Sequence, residues 1–550
     1  MKIIKRDGRI VEYDRDKIFT AISKANRDVR EPERASNKQI ETIIKHIEEL
    51  NKKRMLVEDI QDFIETDLMK IKKYALAKSY IIYRYTRALV RKNNNTDESI
   101  LSIIKNGNTN NDYQTNNQNI VTNRNLIASE VSKNLSKRIL LPEKTVIEHE
   151  NGFIYFHDLE YFLEPFINTS TINFIDILDN ESITNKPNNL RDACLTLSEI
   201  INITSSNQIN EVNINLTKII KYYKPKDNIK ESINILFQQL STLINIKGTL
   251  PKVNFYLKIE KDYEELSIKL IQEIINNYQN NYQNINLYYE LNEDNYINQK
   301  YYYLTKEIMK YNIFIVNKKL LQENYFQENT FNEGKVSLNL VRIALISNNE
   351  EEFYKILDDK LEIVKEALLS KYHSLLGTIS NTSPILWQTG ALAKLNKFDK
   401  IDKLLKNNST LSIGFLGLYE VNKIMKKDDF SLKIIKYLKK TCDNWKKETN
   451  LNFNLVSIYD KEISSYFLKS DLDKFGLIKD ITNKEYYHLS YEMDYKNIEE
   501  QLIMENKYQN ITKSYSIIKK NDDIENILEL IYNNIQVVKI KGEWNERRKN

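Results

Sequence analysis

Basic residues near the start of the chain have the types and spacing of a phosphate site. Four cations and one glycine form this candidate site: Lys5, Arg6, Gly8, Lys17 and Arg84. Backbone N–H groups at a glycine turn, together with fixed positive charge, can share the negative charge of a triphosphate. The same residues also fit an ordinary charged β-hairpin, so residue types alone leave both interpretations open.

Few side chains could act as nucleophiles or metal ligands. The sequence contains two cysteines, Cys194 and Cys442, and five histidines. Two thiols can form neither a disulfide framework nor a four-thiolate zinc site, and such low cysteine usage suits a reducing cytoplasm. His149 and His157 lack the spacing of a metal-binding motif, so we interpret them as structural and predict no metal site. Both cysteines lie in apolar helical segments and are expected to be buried small hydrophobic residues.

Length and composition limit the class of protein. A chain of 550 residues with 41% hydrophobic and 29% charged residues is expected to fold into two or three domains. The net charge of +5 is too small to attract nucleic acid to the whole protein, so any anion site must be local. The N-terminus lacks an apolar signal segment, and no run of about 18 apolar residues occurs. These features predict a cytoplasmic protein without membrane or nucleic-acid partners.

The first 91 residues contain the elements that would position the N-terminal cations. Apolar residues on both sides of Asp7-Gly8 predict a β-hairpin, and Asp14 is a suitable N-cap for the helix after it. Four helices are predicted, and their apolar stretches are 18–25, 40–47, 60–71 and 74–91. The polar stretch 92–118 is predicted to be a linker.

From residue 119 to residue 538, short apolar runs alternate with amphipathic helices, which is the pattern of an α/β domain. Predicted strands include 253–257, 313–316 and 336–340, and predicted helices include 353–368 and 432–445. The stretch 276–303 is dense in Asn and Tyr, and we assign it no chemistry.

Four segments of the first 91 residues carry a resemblance: Ile4-Lys-Arg-Asp-Gly-Arg9, Val11-Glu-Tyr-Asp-Arg-Asp-Lys-Ile18, Val57-Glu-Asp-Ile60 and Ala77-Lys-Ser-Tyr-Ile-Ile-Tyr-Arg84. Together they resemble an ATP-cone, a small regulatory nucleotide-binding domain found at the front of many ribonucleotide reductases. The resemblance implies that Lys5, Arg6 and Lys17 contact a nucleotide, with Gly8 in the turn, and that Arg84 closes the pocket. It also implies ATP and dATP as competing effectors.

The rest of the chain carries a second set of motifs: Ile127-Ala-Ser-Glu-Val-Ser-Lys133, His149-Glu-Asn-Gly-Phe-Ile-Tyr-Phe-His-Asp158, Leu338-Asn-Leu-Val-Arg-Ile-Ala344, Pro384-Ile-Leu-Trp-Gln-Thr-Gly-Ala-Leu392 and Ser412-Ile-Gly-Phe-Leu-Gly-Leu-Tyr-Glu420. Their order resembles the large subunit of class III, anaerobic ribonucleoside-triphosphate reductase. The resemblance implies an α/β fold with a ten-stranded barrel over 119–538. A mainly helical ATP-cone with a β-hairpin would precede the barrel, and 539–550 would form a short tail.

In that family a glycyl radical is passed to a cysteine inside the barrel, which then abstracts hydrogen from the ribose. The aligned stretch here is Ile167-Asn-Thr-Ser-Thr-Ile-Asn173, where Thr169 and Ser170 stand in place of two family cysteines. The barrel loop at 317–334 contains no cysteine, and neither the zinc-binding Cys-x-x-Cys pairs nor the glycyl-radical motif occurs in the sequence. Asn339 and Glu420 match scaffold positions near the family's substrate pocket. No catalytic set is therefore expected to be intact.

The sequence predicts a pseudoenzyme of the deoxyribonucleotide biosynthesis and DNA replication machinery. It would bind ATP or dATP as effectors through the ATP-cone and act as a regulatory or accessory assembly protein. Its expected partners are a second copy of itself, as a homodimer, or an intact reductase subunit. One alternative is an active anaerobic reductase subunit whose radical segment is supplied by another chain. A further alternative is a structural relic that binds no nucleotide.

Overall fold

The computed structural model falls into two compact units, residues 1–105 and residues 106–550. The described residues are 2–4, 10–27, 29–50, 52, 54–82, 84, 100, 120–180, 186–278, 282–321, 326–489, 491–519 and 523–541.

The first unit combines a small sheet with helices. Its strands are β1 (Lys2–Ile4), β2 (Ile10–Glu12) and β3 (Arg54–Leu56). Its helices are α1 (Arg15–Arg27), α2 (Asn37–Glu49), α3 (Val57–Lys70) and α4, which begins at residue 74 and is described to residue 82. Strand β1 pairs antiparallel with β2 and parallel with β3. The strand pairing of the predicted hairpin is confirmed, whereas its Asp7-Gly8 turn lies outside the described residues.

Helical spacing of apolar residues explains the core of this unit. Ile22 of α1, Ile40 and Ile44 of α2 and Leu68 of α3 are fully buried in one cluster. Each lies on the apolar face of an amphipathic helix, so burial of that face holds the helices together. At the start of α2, the Ser36 side chain accepts a hydrogen bond from the backbone of the third helical residue, as part of a capping box.

The second unit contains a large sheet surrounded by helices. Its strands are β4 (Ile154–Phe156), β5 (Thr169–Thr171), β6 (Val212–Asn215), β7 (Val253–Leu257), β8 (Ile285–Leu291), β9 (Phe314–Asn317), β10 (Thr330–Asn339), β11 (Ser409–Leu416), β12 (Phe453–Ser457), β13 (Ser516–Lys519) and β14 (Val537–Lys541).

The helices of this unit lie mostly between strands along the chain. They are α5 (Ile120–Leu135), α6 (Glu143–Glu150), α7 (Phe174–Leu178), α8 (Leu190–Ser206), α9 (Ile229–Thr242), α10 (Glu264–Tyr278), α11 (Glu293–Ile297), α12 (Gln299–Ile308), α13 (Leu340–Ile346), α14 (Glu350–Leu375), α15 (Pro384–Trp387), α16 (Asp402–Asn407), α17 (Leu418–Met425), α18 (Phe430–Thr449), α19 (Lys461–Phe475), α20 (Ile498–Gln509) and α21 (Ile524–Asn534).

The strands close into a barrel. Ten described strands follow one another in the order β12-β11-β10-β5-β6-β7-β8-β9-β14-β13, and β4 pairs with β10 outside this path. Neighbours are parallel except at β10–β5 and β9–β14, which are antiparallel. A parallel bridge between Val456 in β12 and Lys513 joins the two ends. The barrel therefore consists of two parallel halves, β5 to β9 and β10 to β14, that run in opposite directions.

Alternation along the strands separates the outer face of the barrel from its interior, because successive side chains of a strand point to opposite faces. In β7, Val253, Phe255 and Leu257 belong to an apolar core shared with α9 and α10. In β10, Val336 and Leu338 belong to a second core shared with α14 and α18. The intervening residues face the interior, and many of them are polar. Among the described residues, no helix is both long enough and apolar enough to cross a bilayer.

Candidate functional site

The structure describes two of the five residues predicted to bind nucleotide, Lys17 and Arg84, whereas Lys5, Arg6 and Gly8 lie outside the described residues. Lys17 lies on the exposed side of α1, and its Nζ is 3.2 Å from a carboxylate oxygen of Asp14. A surface depression of about 330 Å³ lies along this helix and is lined by Asp16, Lys17, Thr20, Ala21 and Lys24. Two ammonium groups therefore border an open concave surface.

Arg84 has a different environment. Its guanidinium donates hydrogen bonds at 2.7 Å to Asp62 and at 2.8 Å to Glu65, and it also pairs with Glu58. Burial alone would lower the pKa of Arg84, but the hydrogen bonds that its guanidinium donates to these three carboxylates raise the pKa above its ordinary value. Arg84 therefore ties α4 to α3, and a phosphate at this position would have to compete with three carboxylates for it.

In the barrel, Thr169 and Ser170 lie on β5, and their hydroxyl groups form hydrogen bonds with neighbouring side chains. The Ser170 hydroxyl donates to Gln208 Oε1 at 2.6 Å, and the Thr169 hydroxyl donates to Asn168 Oδ1 at 3.0 Å. Asn168 Nδ2 in turn donates to Asp158 at 2.6 Å. Both hydroxyls therefore serve a local hydrogen-bond network at the junction of β5 and β10.

A ladder of amide side chains lines the interior across β5 to β8. Asn213 Nδ2 donates to the Thr171 hydroxyl at 3.2 Å, Asn254 Nδ2 donates to Asn213 Oδ1 at 2.8 Å, and Asn286 Nδ2 donates to Asn254 Oδ1 at 2.9 Å. These residues are directly paired in the strand register. Their polar side chains on adjacent parallel strands therefore form a continuous row. Asn254 also donates to Glu211 at 2.6 Å.

The loop between β9 and β10 brings aromatic packing into the barrel. Phe326 contacts the rings of Tyr256 and Tyr288, with centroids 5.1 Å and 4.9 Å apart. Tyr288 stacks on Phe314 at 4.2 Å, and Phe314 meets Tyr515 at 4.9 Å. These rings form an interior cluster that occupies the space beside the loop.

An ion pair holds this loop from outside the aromatic cluster. Glu328 accepts hydrogen bonds at 2.6 Å and 2.7 Å from the ammonium of Lys218, which follows β6. Two described residues of the loop are thus held in place, Phe326 by aromatic packing and Glu328 by an ion pair.

Asn339, which the sequence predicts to be a scaffold residue, is fully buried, and its side-chain nitrogen and oxygen both bond to protein groups. Its Nδ2 donates to the Gly152 carbonyl and to Asp471, and its Oδ1 caps α13 by accepting from the Arg342 amide. Asp471 also pairs with the Arg342 guanidinium, which is itself buried. Asn339 is therefore part of a buried charged network that fixes the end of β10.

Glu420, the other scaffold residue, is fully buried at the start of α17. One oxygen, Oε1, accepts from the His488 amide at 3.2 Å and lies 2.7 Å from His488 Nδ1. The second oxygen, Oε2, has no hydrogen-bond partner among the described residues. Lys484 Nζ lies 3.4 Å from Oε1.

The two cysteines are distant from any polar site. Cys194 is buried on α8 and Cys442 is buried on α18, each within an apolar core outside the barrel interior. Burial raises the pKa of the Cys194 thiol above its ordinary range and that of Cys442 to about 12. Since the thiolate is the reactive form of cysteine, both residues are held in an unreactive state.

Buried ionisable side chains lie on strand β10 and on the elements that pack against it. Burial raises the pKa of Glu333 to about 8 and lowers that of Lys371 to about 8, and Glu333 Oε2 and Lys371 Nζ have no hydrogen-bond partner among the described residues. Burial also raises the pKa of Asp158 and lowers the pKa of Lys335 and of His157. Over the described ranges, no group of three or more His, Cys, Asp or Glu side chains is arranged to hold a metal ion.

Comparison with known families accounts for both units. A family model described as anaerobic ribonucleoside-triphosphate reductase matches residues 110–540, and the ATP cone domain model matches residues 1–89. The first match alone spans more than half of the chain. The chain belongs to the anaerobic ribonucleoside-triphosphate reductase family.

Individual relatives agree with this assignment. The anaerobic ribonucleoside-triphosphate reductase of Haemophilus influenzae is 27% identical over 590 aligned positions, which cover 90% of this chain and 82% of that protein. The enzyme of the same name from Enterobacteria phage T4 is 24% identical and covers 67% of this chain and 74% of its own length. The fold is shared with the anaerobic ribonucleotide reductase from Thermotoga maritima in complex with dATP and CTP. That structure has a TM-score of 0.63 at 14% identity and covers 77% of this chain and 83% of its own.

For this reductase family member, the replacement of family cysteines at Thr169 and Ser170 stays a prediction, and sequence reasoning did not predict the interior lining. The amide ladder and the charges at Glu333 and Lys371 were missed. A usable signal existed, because polar side chains occupy alternate positions in two otherwise apolar segments, Asn213 and Asn215 in 212–215 and Asn254 and Tyr256 in 253–257. Such alternation predicts one apolar face and one polar face.

Proposed function

We propose that this chain is a non-catalytic member of the anaerobic ribonucleoside-triphosphate reductase family that binds ATP or dATP through residues 1–89 and acts as an accessory assembly protein. Its part in deoxyribonucleotide synthesis would be to respond to nucleotide and to associate with a second copy or with an intact reductase subunit. The observation that carries the proposal is the loop between β9 and β10, which presents Phe326 to the barrel interior.

Hydrogen abstraction from a ribose needs a thiol at contact distance from the sugar, because the reacting atoms must approach to roughly 3–3.5 Å. The only thiols of the sequence, Cys194 and Cys442, lie in apolar cores outside the barrel. Phe326 packs instead against Tyr256 and Tyr288. A phenyl ring has no weak S–H bond to exchange, so this loop supports packing rather than radical chemistry.

The surviving scaffold supports the same conclusion. Asn339 and Ser170 satisfy their polar groups with protein partners, and a substrate would have to break those bonds. Breaking a buried hydrogen bond without replacement costs about 1–3 kcal/mol. A ribonucleotide would therefore pay this cost at each position before gaining any contact.

The nucleotide half of the proposal rests on the first unit. Lys17 and Lys24 border an open depression on α1, and an anionic ligand would compete with Asp14 for the exposed Lys17 ammonium. The match of residues 1–89 to the ATP cone domain supports a nucleotide as that ligand. The proposed binding residues are Lys5, Arg6, Gly8 and Lys17, with Arg84 as a residue that fixes α4.

Two measurements test the proposal. Strictly anaerobic assays with formate, a ribonucleoside triphosphate and a radical-generating activating enzyme should give no deoxynucleotide, and turnover above background would refute the inactive assignment. The same assay with an added radical-segment chain tests the alternative of an enzyme completed by a partner.

For nucleotide binding, calorimetry should detect ATP or dATP binding to the unchanged chain and lose it in a variant with Lys5→Ala and Lys17→Ala. The matched control is Lys38→Ala, an exposed lysine on α2 that does not line the depression. Equal affinity in the double variant and the unchanged chain would refute the proposed site.

A further inference from the structure

The β-bulge in strand β10 places an ionisable side chain behind the barrel wall. The register between β10 and β11 shifts immediately before Gly334, so Glu333 is an extra residue in the ladder. The Glu333 carboxyl reaches the hydroxyl of Ser409, which lies on the same face of β11 as Leu411 because the two residues are two positions apart. Leu411 belongs to the apolar core outside the barrel. Glu333 therefore points outward, toward the helices that cover β10 and β11.

Helix α14 brings a second buried ionisable side chain, Lys371, to the same place. A Cβ atom built on Gly334 would lie 2.9 Å from Lys371 Cγ, so the lysine stem runs directly over the glycine. The lysine Nζ ends 5.7 Å from the centroid of the Phe162 ring. Lys371 is 3% exposed and Glu333 is 1% exposed, so both side chains are almost entirely shielded from bulk solvent. Gly334 therefore gives the lysine a path past the strand.

One polar atom of each side chain lacks a protein partner. In the part of the chain that the structure describes, Lys371 Nζ and Glu333 Oε2 form no hydrogen bond, either with each other or with another residue. The two groups are nevertheless close enough for each to affect the pKa of the other. Buried polar atoms in folded proteins are almost always bonded to protein or to ordered water. Two unpartnered atoms in one buried place therefore point to a bound molecule between them.

The other oxygen of Glu333 shows where the protons lie. Ser409 Oγ is within hydrogen-bond distance of both Glu333 Oε1 and the Leu405 carbonyl oxygen. A hydroxyl carries one proton and a carbonyl oxygen only accepts, so the Ser409 proton bonds to Leu405. Glu333 then donates its own proton to Ser409, as a neutral carboxylic acid. The pKa of Glu333, which burial raises to about 8, agrees with this assignment.

We propose that ordered water binds between Lys371 and Glu333, as one molecule or as a short chain of molecules. Water accepts a hydrogen bond from Lys371 Nζ and donates one to Glu333 Oε2, so it satisfies both atoms at once. An anion could accept from Lys371 but could not donate to Glu333. A metal cation could bind the carboxyl oxygen but would be repelled by the ammonium. Among these three kinds of occupant, water alone fits both side chains.

The bound water completes a chain of hydrogen bonds across the bulge. Lys371 donates to water, and water donates to Glu333. Glu333 donates to Ser409, which donates to the Leu405 carbonyl of α16. The chain links α14 to α16 through β10 and β11, and it gives a partner to both Lys371 Nζ and Glu333 Oε2. It is independent of nucleotide binding and of assembly, so it goes beyond the proposed function.

The test is a high-resolution crystal structure of the unchanged full-length protein, from crystals grown without and with bromide. Electron density for water should lie roughly 2.6–3.2 Å from Lys371 Nζ and from Glu333 Oε2, through one water or through linked waters. Three results would overturn the proposal. They are a direct bond between Nζ and Oε2, a site without density in maps that show other buried waters, and an anomalous bromide peak that marks an anion.

Crystal structures of two variants and a control test which side chains hold the water. Glu333→Leu combined with Lys371→Met removes both polar ends, and the density should be lost. Glu333→Gln can donate from its amide to Ser409 and keeps an oxygen toward the water, so the density should remain. The control, Lys355→Met, replaces an exposed lysine of the same helix and should leave the site unchanged. Water that persists in the double variant, or that is lost in Glu333→Gln, would overturn the proposal as well.

Discussion

The surface of α1 and the interior of the barrel use polar side chains in opposite ways. On α1, Lys17 is largely open to solvent, and it shares the depression with Lys24. In the barrel, Asn254 is 3% exposed and bonds to protein groups at every polar atom of its side chain. A group that the fold has already satisfied stabilises the fold, whereas an open group costs little and is available to a ligand. The α1 surface is therefore suited to binding a ligand. The barrel interior is suited to remaining closed, because its polar groups already bond to one another.

The largest effect is expected where the buried network is charged. Replacing Arg342 by Met leaves the Asp471 carboxylate buried without its guanidinium, and such a loss costs about 3–5 kcal/mol of unfolding free energy. Urea unfolding followed by tryptophan fluorescence measures it, because Trp387 and Trp445 are buried in the second unit.

The control for this prediction removes the buried charge as well. A variant with both Arg342→Met and Asp471→Asn should be less destabilised than Arg342→Met alone, since no unpaired charge remains. If the two variants unfold at the same urea concentration, the charge pair is not what holds this end of β10.

The amide ladder should give the next largest effect. Replacing Asn254 by Leu removes a donor from Glu211 and Asn213 and an acceptor from Asn286, which should cost about 2–3 kcal/mol. Asn286 is half-buried and donates to Asn254, so Asn286→Leu is the matched control with a cost nearer about 1 kcal/mol. Equal costs in urea unfolding would mean that the ladder does not act as a connected unit.

Much of the fold follows from the sequence, and the failures have physical causes. The strand predicted at 253–257 is confirmed as β7, because a short run rich in apolar residues is buried on its outer face. The stretch 276–303, which was assigned no chemistry, contains β8. Its alternation was hidden by tyrosines that serve both faces, with Tyr289 in the outer core and Tyr288 in the interior cluster.

The sites were less predictable than the elements. Motif positions locate Ser170 and Asn339, but their partners, Gln208 and Asp471, come from distant segments. Strand β3 was also missed, because three residues carry too little pattern and its pairing with β1 depends on tertiary contacts. Hydrogen-bond partners across 132 residues of chain cannot be read from spacing alone.

A pH-dependent effect should appear at Glu333. Burial raises its pKa from the ordinary value to about 8, so between about pH 4.5 and pH 8 the unfolded chain releases a proton that the folded chain keeps. The unchanged protein therefore loses stability as the pH rises through this window. Glu333→Gln cannot ionise, so its stability relative to the unchanged protein should rise by roughly 3–4 kcal/mol between pH 5 and pH 8.

Urea unfolding at pH 5 and pH 8 checks the prediction at Glu333. The control is Glu499→Gln, an exposed side chain on α20, and this variant should unfold like the unchanged protein at both pH values. A Glu333→Gln variant whose advantage is the same at pH 5 and pH 8 would mean that the Glu333 carboxyl ionises normally in the fold, close to the buried Lys371.

The smallest effect on stability is expected at the open surface, and it completes the comparison. Lys17→Ala removes an exposed ion pair with Asp14 and should change the unfolding free energy by less than about 0.5 kcal/mol. Because the side chain contributes little to the fold, any loss of ATP or dATP affinity in this variant reports binding itself. Thermal unfolding with and without ATP measures both quantities, since a ligand that binds only the folded state stabilises it by RT ln(1 + [L]/Kd) and so raises the transition temperature. A Lys17→Ala protein that is markedly destabilised without nucleotide would remove the distinction between an open binding surface and a closed interior.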